Sequence, residues 1–193
     1  MQARYRKEGA SMIYVCSLRE MPEHVRILRP YRLISLMAAE HQPPTPPELP
    51  ADRHLRIEVD DICSPCPGAT VPCAAHIVSL LERLGGWSGE APILIHCVAG
   101  VSRSMAAALI TASSRAAGRE LELALGLRQA APHAQPNSLM IELGDAILGC
   151  GGRLVAAAQA MGPATPVEQA PLVRLTVPGP ADGPAAPAVG SFL

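Results

Sequence analysis

Short apolar runs and longer helical patterns alternate along the chain. Residues 12–18 (MIYVCSL) are rich in β-forming side chains and predict a first strand. Residues 21–30 (MPEHVRILRP) predict a short helix, with Pro22 near its first turn and Pro30 ending it. Residues 31–37 (YRLISLM) read as the next strand, and the proline-rich stretch 40–53 as a loop that can continue neither ladder nor helix. Residues 54–59 (HLRIEV) alternate, with Leu55, Ile57 and Val59 on one face of a strand. Ile77, Leu80, Leu81 and Leu84 fall at helical spacing within 74–86, ahead of a glycine stop. Residues 92–96 (PILIH) are unbroken apolar sequence up to the histidine, as expected for a strand at the centre of a sheet. Residues 104–118 are apolar nearly all round and predict a buried helix; 119–132, 138–149 and 152–162 predict three more.

This order predicts an α/β fold: a central, mostly parallel sheet of four or five strands flanked by helices, with a C-terminal helical set. It also divides the chain into a basic N-terminal extension (1–11), a globular unit (12–162) and a Pro/Ala/Gly-rich tail (163–193) expected to be disordered.

Composition narrows the function classes. At 193 residues the chain supports one good hydrophobic core, and no apolar run approaches the length that spans a bilayer. A formal net charge of -1 gives no global footprint for nucleic acid or an anionic membrane. The apolar piece at 12–18 is too short for the core of a secretory signal, so a cytoplasmic protein is expected, with its six cysteines as thiols. No cofactor and no nucleic-acid or membrane partner is expected.

Residues 92–105 (PILIHCVAGVSRSM) carry the chemistry. A strand ends near His96 and a helix begins near Ser104, and in open α/β sheets ligands bind where strand passes to helix. The helix start favours an anion, and Gly100 lets the loop curl so that successive N–H groups of Val98, Ala99, Gly100, Val101 and Ser102 face one centre. Arg103 adds a planar fork that suits two oxygens of a tetrahedral oxyanion. Cys97 at the edge of such a cradle is in a setting that favours the thiolate, the nucleophilic form of cysteine. Attack on phosphorus through a cysteinyl-phosphate is the economical reading.

These residues, HCVAGVSRS at 96–104, resemble the His-Cys-x5-Arg-Ser/Thr signature of the cysteine-dependent protein tyrosine phosphatases. The AGxSRS form is similar to the compact dual-specificity group. The resemblance extends over most of 12–162, including APHAQPN at 131–137 and the helices after it, and in detail it is to a bacterial clade of tyrosine phosphatase-like proteins. It implies Cys97 as nucleophile, Arg103 as phosphate clamp and the backbone of Val98 to Ser102 as phosphate cradle. Ser104 resembles the hydroxyl that hydrogen-bonds the cysteine sulfur, and His96 the neighbour that orders the loop and eases ionisation of the thiol. The implied substrate is a phosphorylated protein or peptide, on tyrosine, with tyrosine-only and dual specificity for serine and threonine both left open. The neutral Val98, Ala99 and Val101 argue against polyphosphorylated inositol rings.

Such chemistry needs a general acid, because an ester oxygen leaves poorly unless protonated. Asp60 and Asp61 follow the strand 54–59. If that strand lies parallel beside 92–96, both face the cysteine loop. Asp61 continues the odd-numbered set Leu55, Ile57 and Val59 and aligns with the clade's single aspartate, so it is preferred, with Asp60 as the alternative. The gap from Asp61 to Cys97 is longer than the dual-specificity group usually shows, with 63–72 (CSPCPGATVP) resembling an inserted loop. Cys63, Cys66, Cys73 and His76 are spaced as a zinc site could be, and Cys63 or Cys66 could pair with an oxidised Cys97. The preferred reading assigns no metal and leaves these cysteines as ordinary loop or packing residues. Two other functions fit the loop less well: a phosphate-binding module of weak turnover, and a phosphatase for a non-protein phosphomonoester. Sulfur transfer is disfavoured by the length of the Cys97–Arg103 loop.

Overall fold

The computed structural model describes residues 11–167 and 170–178. Strands β1 (Ser11–Ser17), β2 (Arg32–Met37), β3 (His54–Glu58) and β4 (Ile93–Cys97) run parallel, and β5 (Val173–Val177) lies antiparallel on β1. The order across the sheet is β3-β2-β4-β1-β5. Six α-helices accompany it among the described residues: α1 (Met21–Leu28), α2 (Ala74–Leu84), α3 (Arg103–Arg115), α4 (Glu120–Ala130), α5 (Ser138–Leu148) and α6 (Arg153–Ala160). The expected α/β architecture with its mostly parallel sheet is present.

The unbroken apolar character of β4 follows from its place between β1 and β2, with both faces covered. Ile93 and Ile95 join Ile13, Val15, Ile34 and Ile57 in the large core, which is completed by α2 to α6. Leu94 points the other way, into a smaller cluster with Cys16 and Leu33 that is closed by Met21 and Val25 of α1 and by Leu49 of the proline-rich segment. That segment includes two short 3-10 turns, Ala39–His41 and Ala51–Arg53.

Helix α3 is buried from Arg103 through Ser113, as its apolar surface predicts. Small residues let its neighbours close in. A Cβ added at Gly144 of α5 would stand 2.6 Å from Cγ1 of Ile110, so this crossing needs glycine.

Three expectations are corrected. Residues 173–177, expected within a disordered tail, form β5: Val173, Leu175 and Val177 are buried and alternate with exposed Arg174 and Thr176. The period-two signal is only five residues long and sits among prolines and alanines, and the open edge of β1 supplies the partner that stabilises it. The ordered unit therefore continues past residue 162. Strand β3 does not lie beside β4, because β2 stands between them, yet both run parallel and end on the same side. The strand carrying the cysteine ends at Cys97 itself, and α3 starts at Arg103. The expectations for residues 1–10, 168–169 and 179–193 lie outside the described residues.

Candidate active site

Cys97 closes β4 at the carboxyl end of the sheet and is 2% exposed. The loop that follows is fixed by its own main chain and its neighbours. Leu18 N–H donates to Val98 O at 3.1 Å, and Gln135 N–H donates to Val101 O at 3.0 Å. Gly100 has φ +75°, and a Cβ there would lie 2.8 Å from the carbonyl carbon of Cys16, so only glycine lets the loop press against β1. That curl brings Gly100 N–H to Cys97 Sγ at 3.3 Å. Ser104 Oγ, in the first turn of α3, lies 3.1 Å from the same sulfur. Two hydrogen-bonding groups thus converge on the thiol.

Arg103 is nearly as buried as the cysteine, at 6% exposure. Its Nη1 donates to Val59 O at 2.8 Å, which fixes the guanidinium, while Nε is buried with no hydrogen-bond partner. A buried guanidinium N–H without an acceptor is costly in an ordinary core. The nearest opposite charge is the carboxylate of Asp61, whose Oδ2 is 3.8 Å from Nε.

The two aspartates differ sharply. Asp60 is turned into its own loop: Thr70 N–H donates to its Oδ2 at 2.7 Å, and its N–H donates to Thr70 O at 2.8 Å. Asp61 reaches over the cysteine loop. Its Oδ1 accepts from Ser102 Oγ at 2.6 Å and from Asn137 Nδ2 at 3.0 Å, which leaves Oδ2 on the side of Arg103. Ser102 consequently does not cap α3 with its side chain. Asn137 does two jobs, because its Oδ1 also accepts from Met140 N–H and caps α5.

Below the loop, His96 Nδ1 is 3.3 Å from Cys97 O, and its Nε2 is 2.5 Å from Ser35 Oγ. Ser35 Oγ is 2.7 Å from His54 Nε2. Burial pushes both imidazoles down to about 4, with nearby Arg103 adding to the effect at His96 and Arg56 at His54. His96 is therefore neutral at pH 7 and meets the loop through a hydrogen bond, not as an imidazolium.

The structure gathers Cys97, Arg103, Ser104 and Asp61, with His96 underneath. Gly100 is buried, Val101 and Ser102 are half-buried, and Val98 and Ala99 face out. Asn137, Gln135, Ser35 and His54 belong to the same constellation and were not singled out from the sequence. Asn137 had a readable signal, an asparagine one position before a helix. Ser35 had a weaker one, a polar residue inside an apolar strand.

The exposed cysteines have local roles. Cys63 Sγ accepts from Ser138 Oγ at 3.3 Å. Cys73 precedes α2, and its N–H donates to His76 Nδ1 at 3.2 Å, so the C-x2-H spacing serves a helix start. Among the described residues no three His, Cys, Asp or Glu side chains converge as metal ligands would.

No protein-family model and no curated protein matches the chain. Among solved structures it is similar to DUSP15, at 18% identity over 77% of this chain and 87% of that one, with a TM-score of 0.47. It is similar to human DUSP28, at 19% identity over 78% and 95%, with a TM-score of 0.47. It is also similar to PTPMT1 in complex with PI(5)P, at 13% identity over 77% and 91%, with a TM-score of 0.48. These solved structures are of dual-specificity and tyrosine phosphatases.

Proposed function

We propose that this chain is a cysteine-dependent phosphomonoesterase acting on phosphorylated protein or peptide, on tyrosine first and on serine and threonine besides. In the first step the Cys97 thiolate attacks phosphorus, the ester P–O bond breaks, and Asp61 gives its proton to the departing oxygen. In the second, water attacks the cysteinyl-phosphate and yields a proton to Asp61, and the S–P bond breaks to return the thiolate. Arg103 and the N–H groups of residues 98–102 hold the phosphoryl oxygens, whose charge spreads as the transition state forms. Ser104 donates to the sulfur as it leaves phosphorus.

The observation that carries this reading is a buried Arg103 Nε with no hydrogen-bond acceptor, together with a sulfur that already receives Gly100 N–H and meets the hydroxyl of the neighbouring Ser104. An oxyanion satisfies the first and is attacked by the second. We assign the protein to the cytoplasm, where its six cysteines would persist as thiols. We take the catalytic unit to run from residue 12 through β5.

Hydrolysis of a small aryl phosphate, lost in Cys97→Ser, tests the reaction. A panel of phosphopeptides, inositol phosphates and nucleotides tests the substrate. Turnover retained by Cys97→Ser would refute the nucleophile assignment, and a preference for inositol phosphates or nucleotides would refute the protein substrate.

A further inference from the structure

Five side chains stand in single file from the half-buried Thr45 region to the backbone of Cys97. Arg56 Nη2 donates to Thr45 Oγ1 at 2.8 Å, and Thr45 Oγ1 is 3.0 Å from His54 Nδ1. His54 Nε2 meets Ser35 Oγ, Ser35 Oγ meets His96 Nε2, and His96 Nδ1 meets Cys97 O. Ser35 and His96 are fully buried and His54 is 7% exposed, so a donor turned the wrong way would leave a buried polar atom unpaired.

The ends of the file are chemically fixed. A guanidinium can only donate and a carbonyl can only accept. Starting from Cys97 O, His96 must carry its proton on Nδ1. Its Nε2 is then bare and accepts the single hydroxyl hydrogen of Ser35. The Ser35 oxygen must in turn accept from His54 Nε2–H. His54 Nδ1 is then bare and accepts from the Thr45 hydroxyl, whose oxygen accepts from Arg56. The direction set by the carbonyl meets the one set by the guanidinium without conflict. The reverse order would put the Nδ1 lone pair of His96 against those of Cys97 O. Both rings are neutral at pH 7, so each holds one proton to place.

We infer that Arg56, Thr45, His54 and Ser35 are positioning residues that hold two histidines in opposite tautomers, Nε2–H on His54 and Nδ1–H on His96, and thereby anchor the carbonyl from which the cysteine loop departs. The proline-rich segment is then a support of the site: Thr45 belongs to it, and Arg56 Nε also donates to Pro43 O at 3.1 Å. The tautomers stand independently of activity; the effect on turnover rests on the phosphatase reading.

Long-range proton–nitrogen NMR on ¹⁵N-histidine protein at pH 7, with the phosphatase assay run in parallel, separates the two. Wild-type protein should show Nε2–H on His54 and Nδ1–H on His96. The same tautomer in both rings, or Nε2–H on His96, overturns the inference. Thr45→Val keeps the shape and removes the hydroxyl. It should populate the second tautomer of His54 and lower kcat on an aryl phosphate by about 2- to 10-fold with KM little changed, the scale of one hydrogen bond. Thr45→Ser should restore both. Ring spectra unmoved by Thr45→Val would also overturn the relay. Expected tautomers with no hydrolysis by wild-type protein would sink the phosphatase reading and leave the relay standing.

Discussion

The cysteine loop and the aspartate loop meet where Asp61 reaches Ser102 and Arg103, and they are built in opposite ways. The first is short and held by main-chain bonds to Leu18 and Gln135 and by the close approach of Gly100 to β1. The second, residues 60–73, is long and largely exposed, closes on itself through Asp60 and Thr70, and reaches the site through the side-chain bonds of Asp61. An anion cradle has to be preorganised, since donors that must move lose their electrostatic advantage. A group that passes a proton out and back needs only to be within reach, so it can tolerate a looser mount.

Substitutions can break this contrast, beginning with the largest effect. Cys97→Ser should abolish hydrolysis while inorganic phosphate still binds, read by calorimetry beside the assay. Asp61→Asn should lower kcat by roughly 10²–10⁴, whereas Asp60→Asn should leave kcat near wild type and loosen only the loop. Equal losses from both would show that the loop, and not the carboxyl group, had been measured. Gly100→Ala should lower turnover by about 100-fold, because a backbone at positive φ must move a loop that tolerates little displacement. Asn137→Ala should lower kcat by about 2- to 10-fold through one lost hydrogen bond to Asp61, with a small loss of thermal stability from the α5 cap.

Acid should weaken the support beneath the cysteine loop. His54 and His96 titrate near 4 when folded and near 6.5 when unfolded, so between those values the unfolded chain binds more protons. Their contribution to stability should be complete above about pH 6.5 and decline as the pH falls toward 4. Urea midpoints across that window would show it, and Ser35→Ala, which uncouples the pair, should alter the slope.

Much of this was legible in the chain because the physics is local. Alternation at Leu55, Ile57 and Val59, helical spacing at Ile77, Leu80 and Leu84, and the strand–Cys–Gly–Arg–helix order of 93–115 each depend on neighbours in sequence. The preference for Asp61 over Asp60 rested partly on such a pattern and partly on the family resemblance. What stayed hidden depends on distant partners. Nothing near Asn137 says that its amide meets Asp61, and nothing near Ser35 says that two histidines meet at its hydroxyl. The misread segment at 173–177 is of the same kind, since a five-residue alternation means little until an apolar edge is found for it.

The antiparallel outer strand has a practical consequence for anyone shortening this protein. Ending a fragment after residue 162, where the composition changes, would uncover the ladder groups of β1 that now bond to residues 173–177. Exposed parallel strands of that kind recruit other chains, so such a fragment should form aggregates, and a fragment extended to residue 178 should stay dispersed.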